Sequence, residues 1–134
     1  MKRLLFLLAA LLLAAGCRTT VPELQRRAAG GDVGAGRKLG MLFFYGGREN
    51  RQLDYAAARE HFALAALGGD PVSLYHAGLF YDLGLGGVEP RSELAADFYR
   101  RALPGIRALA PDDPDASFVL GEMLYHGRGV EGSY

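Results

Sequence analysis

Apolar side chains fall into two kinds of pattern along the chain. From Leu4 to Ala15 there is no polar side chain at all, and Met1-Lys2-Arg3 precedes this run. Beyond it the pattern turns periodic and repeats itself. Three windows align: Ala35–Gly46, Ser73–Gly84 and Ala116–Gly127. Each opens on a small residue, has an apolar residue followed by glycine at its fifth and sixth positions, a large apolar residue at its ninth and glycine at its twelfth. A second pattern follows the first two windows, where Asp54–Ala66 corresponds to Arg91–Leu103. Within it Ala58, Phe62, Ala65 and Ala66 recur at helical spacing, as do Ala95, Tyr99, Ala102 and Leu103. The expected fold is therefore all-α, an α-solenoid of antiparallel helix pairs with about two full repeats flanked by half-repeats. Leu24, Ala28, Ala29, Gly31 and Asp32 read as the end of a preceding second helix.

Glycine, 19 of 134 residues, takes its meaning from this register. Gly40, Gly78 and Gly121 fall inside the first helix of each repeat, where glycine costs about 1 kcal/mol against alanine. The same penalty at the same position calls for a common reason, and close approach of the partner helix supplies one. Gly46, Gly84 and Gly127 end those helices, and Gly68-Gly69-Asp70 ends a second helix. Two irregularities break the repeat. The connection from Ala102 to Ala116 is longer than that from Ala65 to Ser73, and it contains Pro104-Gly105, which should end or kink the helix. A short turn over Ile106–Ala110 and the segment Pro111-Asp112-Asp113-Pro114 are expected next, with Asp113 or Asp115 capping the following helix. The sequence then stops at Tyr134, after a third first-helix whose partner is absent. Phe118, Leu120, Met123 and Leu124 are expected to be partly uncovered there, and that last helix reads as a cap, a docking surface or the stump of a truncated repeat.

Charge and chemistry narrow the function. Basic and acidic residues number 15 each, so there is no clustered basic excess of the kind nucleic acid requires. Half the residues are hydrophobic, too many for a disordered chain. The single cysteine, Cys17, excludes an internal disulfide and a cysteine-only zinc site. His61, His76 and His126 form no HExxH arrangement and occupy unrelated repeat positions, so no shared metal site is expected. The loops Gly84-Leu85-Gly86-Gly87 and Gly127-Arg128-Gly129 lack the Gly-Lys-Ser/Thr ending of a phosphate loop. No Gly-x-Ser-x-Gly elbow surrounds Ser73, Ser92, Ser117 or Ser133. Asp112-Asp113-Pro114-Asp115 reads as a solvated turn, and Arg26-Arg27 and Arg100-Arg101 as exposed helix faces. No enzyme activity and no cofactor are expected.

The segment Met1–Cys17 combines a charged start, an apolar stretch and small residues. As a helix its apolar part would reach about 18 Å, short of the roughly 30 Å hydrocarbon core of a bilayer. Leu13-Ala14-Ala15-Gly16-Cys17 resembles the lipobox of bacterial lipoproteins, with Ala14 where leucine is commonest. That resemblance implies cleavage after residue 16, acylation of Cys17, a short lipidated linker over 17–21 and a repeat domain over 22–134. Arg18, in place of aspartate, implies the outer membrane, facing the periplasm. Removal of Lys2 and Arg3 with the signal leaves a slightly acidic domain.

The repeats resemble the Sel1-like family, relatives of the tetratricopeptide repeat. The family reads roughly small-x-x-x-Leu-Gly-x-x-Tyr-x-x-Gly-x-Gly-Val, then Asp-x-x-x-Ala-x-x-Trp-Tyr-x-x-Ala-Ala-x-x-Gly. Ser73, Ala77, Gly78, Tyr81, Gly84, Ala95, Phe98, Tyr99 and Ala102 match in one repeat. Ala35, Leu39, Gly40, Gly46, Asp54, Ala58, Phe62, Ala65, Ala66 and Gly69 match in the other. Arg91 stands for the usual aspartate, and Phe43 and Leu124 for the tyrosine. The repeats span about 35–70, 73–110 and, incomplete, 116–134. The resemblance implies a protein-binding scaffold or adaptor, with secretion or envelope assembly as one setting by analogy. An enzyme or inhibitor directed at peptidoglycan or its peptides is the alternative from another class, although the paired cysteines of the Sel1-like proteins credited with such activity are absent here. A truncated repeat protein without independent function is a third. In helical-pair solenoids the first helices line the concave side, and their fourth, seventh and eleventh positions share a face. Lys38, Met41, Tyr45, His76, Leu79 and Glu122 are accordingly the expected partner-binding residues, with Leu83, Val119 and His126 on the same rows. The expected partners are proteins or peptides on that face and a membrane through lipid on Cys17.

Overall fold

In a computed structural model, residues 19–47 and 52–131 are described. The signal-like segment, Cys17 and Arg18 lie outside them, as do Arg48, Glu49 and Asn50 of the first loop. All regular structure among the described residues is helical: α1 (Val21–Ala29), α2 (Val33–Tyr45), α3 (Tyr55–Leu67), α4 (Pro71–Leu83), α5 (Ser92–Leu109) and α6 (Pro114–His126). None of these helices is long and apolar enough to cross a membrane.

Short-range chemistry sets the helix starts. Asp32, Asp54, Asp70 and Asp113 each occupy an N-cap, and each side chain accepts a hydrogen bond from a backbone N–H in the first turn: Ala35 at 3.0 Å, Ala57 at 2.9 Å, Ser73 at 2.9 Å and Asp115 at 3.0 Å. Such caps satisfy N–H groups that the helix itself leaves orphaned. Proline in the first turn of α1, α4 and α6 adds a preset φ where no hydrogen bond is lost. α5 is the exception: its cap position holds Arg91, and no side-chain cap bond forms. At the other ends, Gly84 and Gly127 stop α4 and α6 in the left-handed conformation, at φ 64° and 68°, which glycine adopts without the steric cost of a Cβ.

Successive helices pack against each other in order, and α4 also touches α2 on one side and α6 on the other, whereas α1, α3 and α5 make no comparable contact among themselves. The helices thus fall into two layers, α2-α4-α6 and α1-α3-α5, with α4 flanked by four neighbours. Its sequence records this: Val72, Tyr75, Leu79 and Phe80 are all enclosed. Two apolar clusters meet there. One joins Tyr75 and Leu79 to Tyr99, Ile106, Val119 and Met123; the other joins Ala58 and Phe62 to Phe80.

The glycines inside the first helices account for much of the pairing geometry. A Cβ on Gly40 would lie 2.7 Å from the Phe62 ring of α3, and one on Gly78 would lie 2.8 Å from the Tyr99 ring of α5. Glycine lets each aromatic ring rest on the helix backbone, which is the close approach that the repeat register implies. Gly121 occupies the same register, yet a Cβ there meets nothing within 4 Å.

The structure corrects the expectation for the first irregularity. α5 runs without interruption from Ser92 to Leu109, with Pro104 inside it, and no separate turn forms over Ile106–Ala110. The extra residues are helix because their inner face is used: Leu103 and Ile106 are buried in the main cluster, and Gly105 lies against the Pro71 ring. Pro104 itself is exposed, so the carbonyl it leaves unpaired one turn back faces water and the cost of an interior proline is reduced. A second correction concerns Met123. It is fully buried, while Phe118 and Leu124 are exposed and Leu120 is half-buried.

Candidate functional site

The layer formed by α2, α4 and α6 brings the expected partner-binding residues together unequally. Lys38 is exposed, Met41 half-buried, Tyr45 exposed and Glu122 half-buried. His76 and Leu79 are core residues, 0% and 4% accessible, which corrects their assignment to the binding surface. Val119, on the same row, is also enclosed, whereas Leu83 and His126 are exposed. The reason lies in the packing of α4. Its neighbours α2 and α6 close over its fourth and seventh repeat positions and leave only the eleventh, Leu83, at the surface.

What remains is a cleft of about 510 Å³ between α2 and α6, lined by Lys38, Met41, Tyr45, Asp115 and Phe118 among others. Tyr45 is the aromatic that α2 contributes to it. Its ring meets Phe118 edge-on at 5.8 Å, and its hydroxyl lies 2.9 Å from His76 Nε2. His76 Nδ1 is 2.7 Å from the Val72 carbonyl. A carbonyl only accepts, so Nδ1 carries the proton and Nε2 accepts from the Tyr45 hydroxyl. Burial holds His76 neutral, lowering its pKa from 6.5 to about 4, and burial likewise raises the Tyr45 phenol above its ordinary value. The pair is a fixed hydrogen bond linking α2 to α4. His76 also stacks on Phe62 with ring centroids 4.3 Å apart.

At one end of the cleft, Arg37 of α2 reaches the N-termini of both α4 and α6. Its Nε donates to Asp70 at 3.0 Å, its Nη2 forms an ion pair with the same carboxylate, and its Nη1 donates to Asp113 at 2.5 Å, with Asp115 at 3.8 Å. The two aspartates are the N-caps, so each carboxylate serves a helix start and the guanidinium together. Burial opposes the Arg37 charge, but the hydrogen bonds it donates to Asp70 and Asp113 outweigh this and raise its pKa. Burial also opposes ionisation of Asp113, and the bond from Arg37 overcomes this, leaving its carboxyl below the ordinary value.

Arg128 makes a second such tie, outside the cleft and near the C-terminal ends of α4 and α6. In the loop after α6, it lies 3.1 Å from Asp82 and donates to the Tyr75 hydroxyl at 3.2 Å, while the Tyr99 hydroxyl donates to Asp82 at 2.7 Å. Gly129 sits against the backbone of Tyr99. Neither arginine stands out in the sequence, because their partners lie far along the chain and Arg37 occupies a repeat position held by Tyr75 and Phe118 elsewhere. The recurrence of aspartate just before each first helix was the available signal for Arg37.

Two further grooves open on the opposite layer, each between neighbouring second helices and floored by a first helix. One, of about 480 Å³, runs between α1 and α3 over Gly36; the other, of about 540 Å³, runs between α3 and α5 over Leu74, Ala77 and Tyr81. Arg59 and Arg101 edge the second groove. Among the described residues no three metal-ligating side chains converge, and every enclosed side-chain nitrogen or oxygen has a hydrogen-bond partner. The chain matches no family model and no curated protein.

Proposed function

We propose that this chain is a protein-binding scaffold of the Sel1-like type, an α-solenoid that presents the cleft between α2 and α6 to a peptide or protein partner. The observation that carries this reading is the repeated glycine socket: α2 receives Phe62 of α3 on Gly40 as α4 receives Tyr99 of α5 on Gly78. Two helix pairs built alike and stacked in order are the working unit of helical-repeat binding proteins. The inventory of polar groups supports binding over catalysis. Arg37, Asp70, Asp113, Arg128 and Asp82 are engaged in holding helices together, and the cleft offers an ammonium at Lys38, a carboxylate at Asp115 and the rings of Tyr45 and Phe118. Mixed charge and aromatic surface of this kind suits peptide recognition. A photo-crosslinking residue placed at Lys38, with another at Glu60 on the opposite layer, tests it in cells. Discrete adducts from position 38 and none from 60 are expected; equal profiles from the two positions refute the reading.

We further propose that the domain is tethered to the bacterial outer membrane, facing the periplasm, through acylated Cys17. The support is the Leu13–Cys17 sequence together with the placement of α1, which begins at Val21 and leaves a short linker to the lipid. Metabolic labelling with palmitate, lost in Cys17→Ser, is the expected result. Retained labelling excludes the anchor.

A further inference from the structure

We propose that the outer face of α6 is a docking site for one α-helix of another polypeptide, a helix that carries an aromatic side chain with alanines one turn before and one turn after it. The face continues, in register, the interface that α2 makes with α3 and α4 makes with α5. In those two pairs the occupant has the same chemistry. Phe62 lies on Gly40 with Ala58 and Ala65 buried beside it, and Tyr99 lies on Gly78 with Ala95 and Ala102 buried beside it.

Three positions of the first helix read the incoming helix. The sixth is the glycine socket. The ninth is an aromatic that stacks on the occupant: Phe43 lies on His61 at 5.7 Å and 7°, and Tyr81 on Phe98 at 5.8 Å and 5°. The tenth meets the socketed ring: Phe44 touches Phe62 edge-on at 6.3 Å, and Asp82 accepts from the Tyr99 hydroxyl. In α6 these positions are Gly121, Leu124 and Tyr125. The socket is empty to 4 Å, Leu124 is 57% accessible and Tyr125 84% accessible. Interior glycine weakens a helix for no local gain unless a neighbour comes close, and adjacent exposed leucine and tyrosine beside it form the kind of apolar patch that marks an interaction site. The two filled sockets specify what fits the third: a flat ring over the glycine, with small residues above and below so that the helix axes come close. Tyr125 supplies an edge for the ring, as Phe44 does, and a hydroxyl for a polar group on the occupant.

The cleft between α2 and α6 borders this face, because Phe118, one turn before Gly121, lines it, so shifts at Leu124 and Tyr125 rather than at Lys38 and Tyr45 separate the two readings. The probe is a helix-stapled peptide with the sequence of residues 54–69, which carries Ala58, Phe62 and Ala65, added to the full-length protein. Saturable one-to-one binding is expected, with NMR shifts confined to Gly121, Leu124, Tyr125 and their neighbours. Affinity should fall at least tenfold for the Phe62→Ala peptide. It should fall equally for Gly121→Phe protein, whose new ring occupies the open socket and leaves the fold intact, as an unchanged circular-dichroism melt would show. Absence of saturable binding at millimolar peptide, equal binding of the Phe62→Ala peptide, or shifts centred on α2 or α4 would overturn the proposal. So would concentration-dependent self-association of the protein alone that Gly121→Phe abolishes, because that assigns the face to a second copy.

Discussion

Alanine should stabilise the fold at Gly121 and should not do so at Gly78. The two glycines share one repeat position and one helical conformation, so the backbone gain is common to both: alanine in a helix interior is better than glycine by about 1 kcal/mol. At Gly121 nothing opposes it, since the new methyl meets open space, and Gly121→Ala should stabilise by roughly 0.5–1 kcal/mol. At Gly78 the methyl would lie 2.8 Å from the Tyr99 ring and 3.0 Å from Phe98 Cβ. Neither can yield cheaply. The Tyr99 hydroxyl is bound to Asp82 at 2.7 Å, its ring is tilted against Tyr75 at 5.4 Å, and Phe98 Cβ is fixed to its own backbone. Overpacking of this kind costs about 1–3 kcal/mol, leaving Gly78→Ala neutral to destabilising by about 2 kcal/mol after the helix gain. Gly40→Ala should follow Gly78, because Phe62 is held by the stacked His76 ring and by Phe44 and Phe80. The difference between the Gly78 and Gly121 variants cancels helix propensity and reads the socket packing alone. Urea unfolding measures it: with a slope of about 2 kcal/mol per molar, a packing difference of about 1–3 kcal/mol should separate the two midpoints by roughly 0.5–1.5 M at unchanged slope. Equal shifts of the same sign would show that the rings do not rest on these glycines, and a destabilising Gly121→Ala would show that α6 is already covered.

Three other outcomes follow from the buried polar ties. Arg37→Met leaves the Asp70 carboxylate, 5% accessible, without its cation and should destabilise by about 3 kcal/mol; adding Asp70→Ser, which keeps an N-cap oxygen, should recover part of that in a double-mutant cycle measured by the same urea curves. His76 is neutral in the fold with a pKa near 4, against 6.5 when unfolded, so its contribution is whole above pH 6.5 and declines as pH falls towards 4, by on the order of 3 kcal/mol. His76→Gln should flatten the stability–pH curve in that window, while His61, also lowered by burial, retains a smaller slope; an unchanged curve refutes the assignment. Arg128→Ala should cost about 1–2 kcal/mol through its lost bonds to Asp82 and Tyr75, and hydrogen exchange should speed up over residues 127–131 before any other segment.

How far the sequence carried the structure depended on the range of the interaction. Helix positions, aspartate caps and terminal glycines are local, and the repeat register exposes them because the same physical need recurs at the same spacing. Arg91 is instructive here: it stands where Asp54 heads the preceding second helix, and among the described residues its helix is the one that starts without a side-chain cap bond. The errors came from the third dimension. His76 and Leu79 share a helical face with Lys38 and Glu122, and periodicity alone places all four at one surface; only the arrival of α2 and α6 on either side of α4 encloses the middle pair. Pro104 misled for the converse reason. Its intrinsic preference is to break a helix, but Ile106 beyond it buries a full side chain, worth about 1.5–3 kcal/mol, which offsets most of what an interior proline costs when its orphaned carbonyl faces solvent. Gly121 combines both lessons. The register marks it as a contact position, and the fold shows the contact unmade, so the residue keeps the helix penalty while α3 and α5 meet only Gly40 and Gly78. A substitution that removes this penalty without harming the isolated protein, while blocking an aromatic helix from the face, would locate the compensating interaction outside the described residues.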